Sequence, residues 1–224
     1  AASPCLTHPM SRILPRRMKA VVTVGNGGYD KLVYGDVDVP VPGPGEVLIQ
    51  VLAAGVNNTD INTRLGWYSS SVSAGTEGLA AEQQGEPVAV REGGWNGATG
   101  FPLIQGTDCC GRVVAAGSSV GEGVIGKRVL VRPCMRPGGF GTHDMVWLGS
   151  DFDGAFAQYV KVPASEVFAV ACLWSDAELG TIPCAYGTAE NMLHRAAVRA
   201  GDHVFITGAS GGVGFWRVGR AGVE

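Results

Sequence analysis

Apolar and polar residues alternate with a period of two through most of this chain, and only late do they change to a helical spacing. Residues 46–54 put Val47, Ile49, Val51 and Ala53 on one face, the mark of a half-buried strand. Residues 19–24, 110–116, 127–132 and 154–162 are rich in Val and other strand formers and predict further strands. Residues 101–108 lead into the second of these, and 37–45 read as an extended segment that ends in a sharp turn. Gly-rich turns separate them at 25–28, 117–121 and 138–141. Short strands at close spacing with glycine turns predict a barrel or a sandwich.

The period changes near residue 165. Ser175 followed by Glu178 forms a capping box, and Ala189, Met192, Leu193, Ala196 and Ala197 follow helical spacing to about 200. His203, Val204, Phe205, Ile206 and Thr207 then predict a buried strand. A glycine turn follows at once, with Ala209-x-Gly211-x-x-Gly214 matching the dinucleotide fingerprint, Ala standing for its first Gly. The chemistry asks for bare backbone there, because a side chain at Gly211 would hold a pyrophosphate away from the N–H groups. Gly208, Ala209, Ser210, Gly211, Gly212, Val213 and Gly214 are therefore the candidate cofactor-binding residues. Ten residues follow Gly214. They hold two adjoining aromatics and two glycines, a poor helix start. The residue that reads the ribose, about 20 positions further on, has no counterpart in them. An incomplete nucleotide-binding unit is the expectation.

Two segments depart from the strand pattern. Residues 56–64 gather Asn57, Asn58, Thr59, Asp60 and Asn62 behind an apolar strand. They read equally as a functional loop and as a capped turn or short helix. Residues 69–100 are rich in Ser, Gly, Glu and Gln, and read as a disordered insertion with a short helix near 79–84. Residues 1–17 carry Arg12, Arg16 and Arg17 and no acid. They read as a disordered leader ahead of Met18, with a transit peptide as the alternative.

Composition narrows the function classes. The formal charge of −3 gives no footprint for nucleic acid, and no run of 18 apolar residues predicts a membrane span. Six cysteines occur without a C-x-x-C spacing, which points to a reduced, cytoplasmic protein. Cys109 and Cys110 are adjacent and face opposite sides of a strand.

Five motifs taken together resemble the medium-chain dehydrogenase/reductase superfamily. They are residues 44–49 (PGEVLI), 53–60 (AAGVNNTD), 106–111 (GTDCCG), 154–160 (GAFAQYV) and 208–214 (GASGGVG). The resemblance implies a mostly β GroES-like barrel followed by the start of an α/β Rossmann-type nucleotide-binding domain. The implied division is a leader at 1–17, a substrate domain at 18–165 carrying the insertion, and a nucleotide unit at 166–224.

Zinc enzymes of this superfamily hold their catalytic metal with Cys, His and Cys. This sequence has Asn57 and Thr107 at the first two positions and a cysteine, Cys184, only at the third. Between residues 128 and 162 there is one cysteine, Cys134, so the four-cysteine structural lobe is absent as well. No zinc is expected, and Cys184 reads as a small buried hydrophobe. The sequence is most similar to the zinc-free quinone oxidoreductase branch, which implies hydride transfer from NADPH, or else NADH, to a carbonyl, enone or quinone. Asn57, Thr59 and Asn62 are the implied catalytic residues, as hydrogen-bond donors. Thr59 stands at the proton-relay hydroxyl, and Asn62 where many quinone reductases carry Tyr. Thr188 stands at the nicotinamide end, Asp60 and Asp108 are expected to brace the loop, and Trp67 and Tyr68 wall the pocket or pack in the core. His143, His194 and His203 match no ligand position. Family members pair through the nucleotide unit, and a homodimer is not expected of this chain. Two alternatives stand beside this reading. One is a zinc-type alcohol dehydrogenase relative with ligands displaced to Cys109, Cys110, Cys134 or Asp108. The other is a non-enzymatic GroES-like fragment.

Overall fold

The computed structural model describes residues 14–68, 96–139, 141–142, 144–208 and 210–214. Most of the expected leader, most of the insertion with its helix near 79–84, His143, Ala209 and the last ten residues lie outside the described residues.

The strand predicted at 46–54 is the centre of the molecule. It forms β3 (Glu46–Ala53), paired antiparallel with β5 (Cys110–Ala116) on one side and β9 (Tyr159–Pro163) on the other. β5 pairs with β6 (Arg128–Val131), which pairs with β10 (Val167–Ala169), and these five strands make one sheet. Its inward residues are those the alternation selects: Val47, Ile49, Val113, Val129, Val131, Val160 and Val162 are all at most 2% exposed. β-branched side chains fill a pleated surface with few rotamers to lose, so they make up most of this core, which Cys109, Met135, Leu148 and Ala155 complete. Leu48 is buried as well, so β3 is covered on both faces over its first half.

A second sheet holds β1 (Arg17–Thr23) between β2 (Leu32–Asp38) and β4 (Leu103–Ile104). Residues 156–158 join the two sheets: Val21 N–H donates to Phe156 O at 2.8 Å, and Gln158 N–H donates to Lys19 O at 3.0 Å. The strand expected at 154–162 therefore divides its pairing, first with β1 and then, as β9, with β3. A third, two-stranded piece is formed by β7 (Cys134–Met135) and β8 (Val146–Trp147). Among the described residues the ladders do not run round into a closed barrel.

The period-two reading misses most of β2. Tyr34 is 70% exposed and Val33 47%, so this edge strand has no buried face to produce an apolar alternation. Register comes instead from the full ladder to β1, Arg17 facing Asp38 and Thr23 facing Leu32. Ion pairs Arg17–Asp38 and Lys19–Asp36 place charge along the edge, which discourages further strand pairing.

The polar cluster after β3 is a helix, α1 (Asn58–Arg64), with Asp60, Thr63 and Arg64 buried. The capping box opens α2 (Asp176–Leu179) as its spacing predicts: Glu178 N–H donates to Ser175 Oγ, and Ser175 N–H donates to Glu178 Oε2 at 2.7 Å. The next helix corrects the sequence reading. α3 spans Pro183–Arg195, beginning six residues before Ala189 with Pro at its first turn and ending before Ala196 and Ala197. Its buried contacts are Ala185 and Ala189, whereas Met192 is 43% exposed. Gly187 and Thr188 hid the first two turns from an apolar count, and Ala197, at φ 52°, ends the helix where the spacing ran on.

The buried strand expected at 203–207 is also corrected. These residues are in no ladder, and Phe205 is 90% exposed. A β-branched run acquires strand geometry only by exchanging backbone hydrogen bonds with a neighbour. No strand among the described residues lies beside this one.

Candidate functional site

The corner where β3, the residues before β5 and α3 meet is held by two buried carboxylates. Asp60, on the first turn of α1, accepts from Asn57 N–H at 2.8 Å and from Thr107 N–H at 3.1 Å. Asp108 accepts from Cys184 N–H at 2.7 Å and from Asn57 Nδ2 at 2.8 Å. Asn57 Nδ2 also lies 3.3 Å from Thr107 Oγ1. A second layer fixes Asp60 from behind: Gln105 Nε2 donates to its backbone oxygen, and Thr23 Oγ1 donates to Gln105 Oε1, both at 2.8 Å. Asn57 and Cys184, far apart in sequence, thus meet at the Asp108 carboxylate, while Thr107 bonds Asp60 and Asn57 beside them.

Gly55 makes the approach possible. A Cβ there would stand 2.7 Å from Asp108 Oδ2 and 2.7 Å from Gly180 O. Its N–H donates to that same Gly180 carbonyl, which ties the end of β3 to the end of α2.

Burial sets the charges. It pushes Asp60 up to about 6, against the backbone N–H groups of Asn57, Thr107 and Gly106, which favour its ionised form. It also raises Asp108, opposed by the Asn57 amide and the Cys184 N–H. The Cys184 thiol is pushed up to about 12, first by burial and then by the Asp108 carboxylate. Among the described residues, no three His, Cys, Asp or Glu side chains group so as to hold a metal ion.

α3 carries this corner to an open cavity of about 350 Å³. Cys184, Gly187, Thr188 and Asn191 line it from the helix, and facing them are Cys134 and Trp147 from β7 and β8, with Arg132 and Arg136 beside β7. Thr188 Oγ1 donates to Cys184 O at 2.7 Å, so its hydroxyl is fixed against its own helix. The glycine turn lies against the same helix: a Cβ on Gly212 would meet Ala185 Cβ at 3.5 Å. Gly208 has φ +65° and accepts from Gly211 N–H at 3.3 Å, closing the turn. The Cβ direction of Gly211 is open, with its nearest neighbour at 3.8 Å, and residues 212–214 are helical. This bare backbone is what a pyrophosphate requires.

The predicted site residues fall into two groups. Asn57 joins the Asp108 corner, and Thr59 and Asn62 are half-buried on α1. None of the three lines the cavity beside Thr188. The amide hydrogens of Asn57, expected as a donor toward substrate, are directed at Thr107 and Asp108. Asp60 and Asp108 do brace the loop through backbone N–H groups. Cys184 is half-buried, less so than its reading as a core hydrophobe, since one side faces the cavity. Trp67 and Tyr68 pack edge to face at 5.5 Å, away from this cavity. The sequence reading missed the opposite wall. Its signal was the repeated Arg-Pro step, Arg132-Pro133 and Arg136-Pro137, which places two cations four residues apart beside a strand.

Comparison with known proteins agrees with this architecture. The alcohol dehydrogenase GroES-like domain family matches residues 43–171. A candidate alcohol dehydrogenase from Sinorhizobium meliloti 1021 is 40% identical, with a TM-score of 0.76, over 93% of this chain and 55% of its own. A cobalt- and zinc-bound thermostable alcohol dehydrogenase from Pyrobaculum aerophilum is 28% identical, with a TM-score of 0.69, over 92% of this chain and 56% of its own. The quinone oxidoreductase from Coxiella burnetii shares the fold at 24% identity and a TM-score of 0.66, over 92% of this chain and 53% of its own. The chain spans just over half the length of these solved relatives.

Proposed function

Because this chain belongs to the medium-chain dehydrogenase/reductase family through its alcohol dehydrogenase GroES-like domain, we propose that it carries the substrate side of a zinc-independent, NADPH-preferring reductase of the quinone oxidoreductase type. The observation that carries the reading is the Asn57–Asp108–Cys184 corner. A catalytic zinc needs three protein ligands. Here the first two positions hold an amide whose NH2 group is turned onto a carboxylate and a neutral hydroxyl. That donor set does not fit the metal, and no step is routed through one.

The glycine turn fits a dinucleotide, with residues 208–214 and Thr188 as its cradle. Bound there, NADPH would supply a hydride to the carbonyl or enone carbon, leaving NADP⁺, while a proton completes the reduced oxygen or α-carbon. In a metal-free site, hydrogen-bond donors must polarise the accepting oxygen. Thr59 and Asn62 are the donors on this reading, with the Thr59 hydroxyl passing the proton. Asn57 is a positioning residue that keeps α1 and α3 together through Asp108.

The test is NADPH oxidation with a panel of quinones and enones, run beside metal analysis of the purified protein. Turnover unaffected by chelation is the expected result, and Thr59→Val lowers kcat with little change in KM. Stoichiometric zinc whose removal abolishes activity would overturn the proposal in favour of a zinc-type alcohol dehydrogenase.

A further inference from the structure

Cys109 and Cys110 do face opposite ways, and only Cys109 belongs to the core cluster of the five-stranded sheet. Cys110 points to the other side, where its thiol donates to Asp176 Oδ1 at 3.9 Å at the start of α2. Arg128 lies on that same face, two residues from Leu130, the β6 partner of Cys110. Its guanidinium reaches in two directions. Nη1 lies 3.4 Å from Asp176 Oδ1 and donates to Trp174 O at 2.9 Å. Nη2 donates to Cys172 O and lies 3.7 Å from Cys172 Sγ. One ion pair thus stands between two thiols that are far apart in sequence.

The two thiols differ in kind. Cys172 is the one exposed cysteine among the described residues. It lies between β10 and α2, in a segment at 170–175 that belongs to no helix or ladder. The Arg128 N–H meets its sulfur, where negative charge gathers during thiol–disulfide exchange. Cys110 is fully buried, and its thiol is pushed up to about 11, first by burial and then by Asp176, with Cys172 as a lesser cause. The two groups therefore feel each other's charge. Exposure gives the first step to Cys172. It leaves Cys110 to follow, with the Asp176 carboxylate placed to receive its proton.

We propose that Cys172 and Cys110 are a redox pair that reacts with low-molecular-weight disulfides of the glutathione type. Cys172 attacks one sulfur of glutathione disulfide, forms a mixed disulfide and expels one glutathione. Cys110 then attacks the Cys172 sulfur, closes the Cys110–Cys172 bond and expels the second glutathione. Two electrons pass from the protein to the glutathione disulfide, and the two thiol protons end on the two glutathione molecules released. Both thiols are free in the structure, so closing the bond requires Cys172 to leave Arg128. That movement falls on the 170–175 segment, not on β5. The bond ties β5 to the chain entering α2, and Gly180, just beyond that helix, is bonded by Gly55 beside the Asp108 corner. The inference is independent of the cofactor reading of the glycine turn.

The test incubates the reduced full chain with glutathione disulfide, blocks the remaining thiols with N-ethylmaleimide and maps the unreduced digest by mass spectrometry. A Cys110–Cys172 linked peptide that dithiothreitol removes is the expected product. Cys110→Ser should halt the reaction with glutathione held on Cys172. Cys172→Ser should slow glutathione release by at least about tenfold. Thermal melts of both variants should match the parent, and the parent's own peptide map decides alone if Cys110→Ser does not fold. Glutathione on Cys172 with no link in the parent overturns the pair. A link through any other cysteine, or recovery of both thiols unmodified, overturns it as well.

Discussion

The corner around Asp108 and the glycine turn at 208–214 are equally conspicuous motifs in the sequence, yet the fold treats them in opposite ways. At the corner, Gly55, Asn57, Asp60, Thr107, Asp108 and Cys184 are locked by bonds that cross from β3 to α3. At the turn, Gly208 and Gly211 have open space where a side chain would stand, and the residues leading into it are unladdered and mostly exposed, with Val204 and Ile206 half-buried. Both regions use glycine for close approach, but what approaches differs. At Gly55 it is the protein's own backbone and carboxylate. At Gly211 it is solvent, or a ligand. A glycine that is required for folding is therefore told from one required for binding by what would meet its Cβ.

That contrast can be broken most directly at Gly55. Gly55→Ala puts a methyl group 2.7 Å from two oxygens, one of them backbone, and should cost about 3 kcal/mol. The Tm measured by scanning calorimetry would fall by roughly 6–12 °C for a chain of this size. A variant that melts with the parent would show that the corner is not rigid.

The next effect is a pH dependence. The folded-state value of Asp60, about 6, lies above its ordinary 3.8, so the native state binds this proton more tightly than the unfolded chain does. The resulting stability is complete below about pH 4 and is lost as pH rises through 6, by up to about 3 kcal/mol. Asp108, raised by the same cause, adds in the same direction. Glu46 is lowered by its bonds to Gly43 N–H and Lys161, and loses stability only as pH falls below its ordinary range. Urea melts from pH 4 to 7 should therefore decline for the parent and flatten for Asp60→Asn.

Asp108→Ala sharpens the comparison from the other partner. It strands the Cys184 N–H and the Asn57 amide, and the expected loss is about 2 kcal/mol. Asp108→Asn, which keeps one acceptor oxygen, should lose less. The smallest effect is the most informative. Gly211→Ala has room for its methyl and should leave the unfolding free energy unchanged within about 0.5 kcal/mol. It should nevertheless abolish any thermal shift on adding millimolar NADPH. A shift that survives the substitution would show that the cofactor does not lie on that backbone.

The alternation of Val47, Ile49, Val113, Val129, Val160 and Val162, the Ser175–Glu178 box and the order of the five motifs were legible without coordinates. Each is a local pattern whose physical cause is local as well: side-chain period, a cap that bonds its own helix, a turn that needs glycine. Other features depended on partners far along the chain. β2 has no buried face, and only its ladder to β1 makes it a strand. α3 begins at Pro183 because Ala185 and Ala189 find a surface, whatever Gly187 contributes to propensity. Residues 203–207 have strand composition and no neighbour to pair with. The same holds for charge. Sequence alone put carboxylates at 60 and 108 and arginines at 132 and 136. Tertiary structure decided that both carboxylates would be buried and raised, that Arg132 would pair with Glu166, and that Arg136 would lie at the wall of the α3 cavity, because desolvation and pairing are set by what the fold brings within a few ångströms.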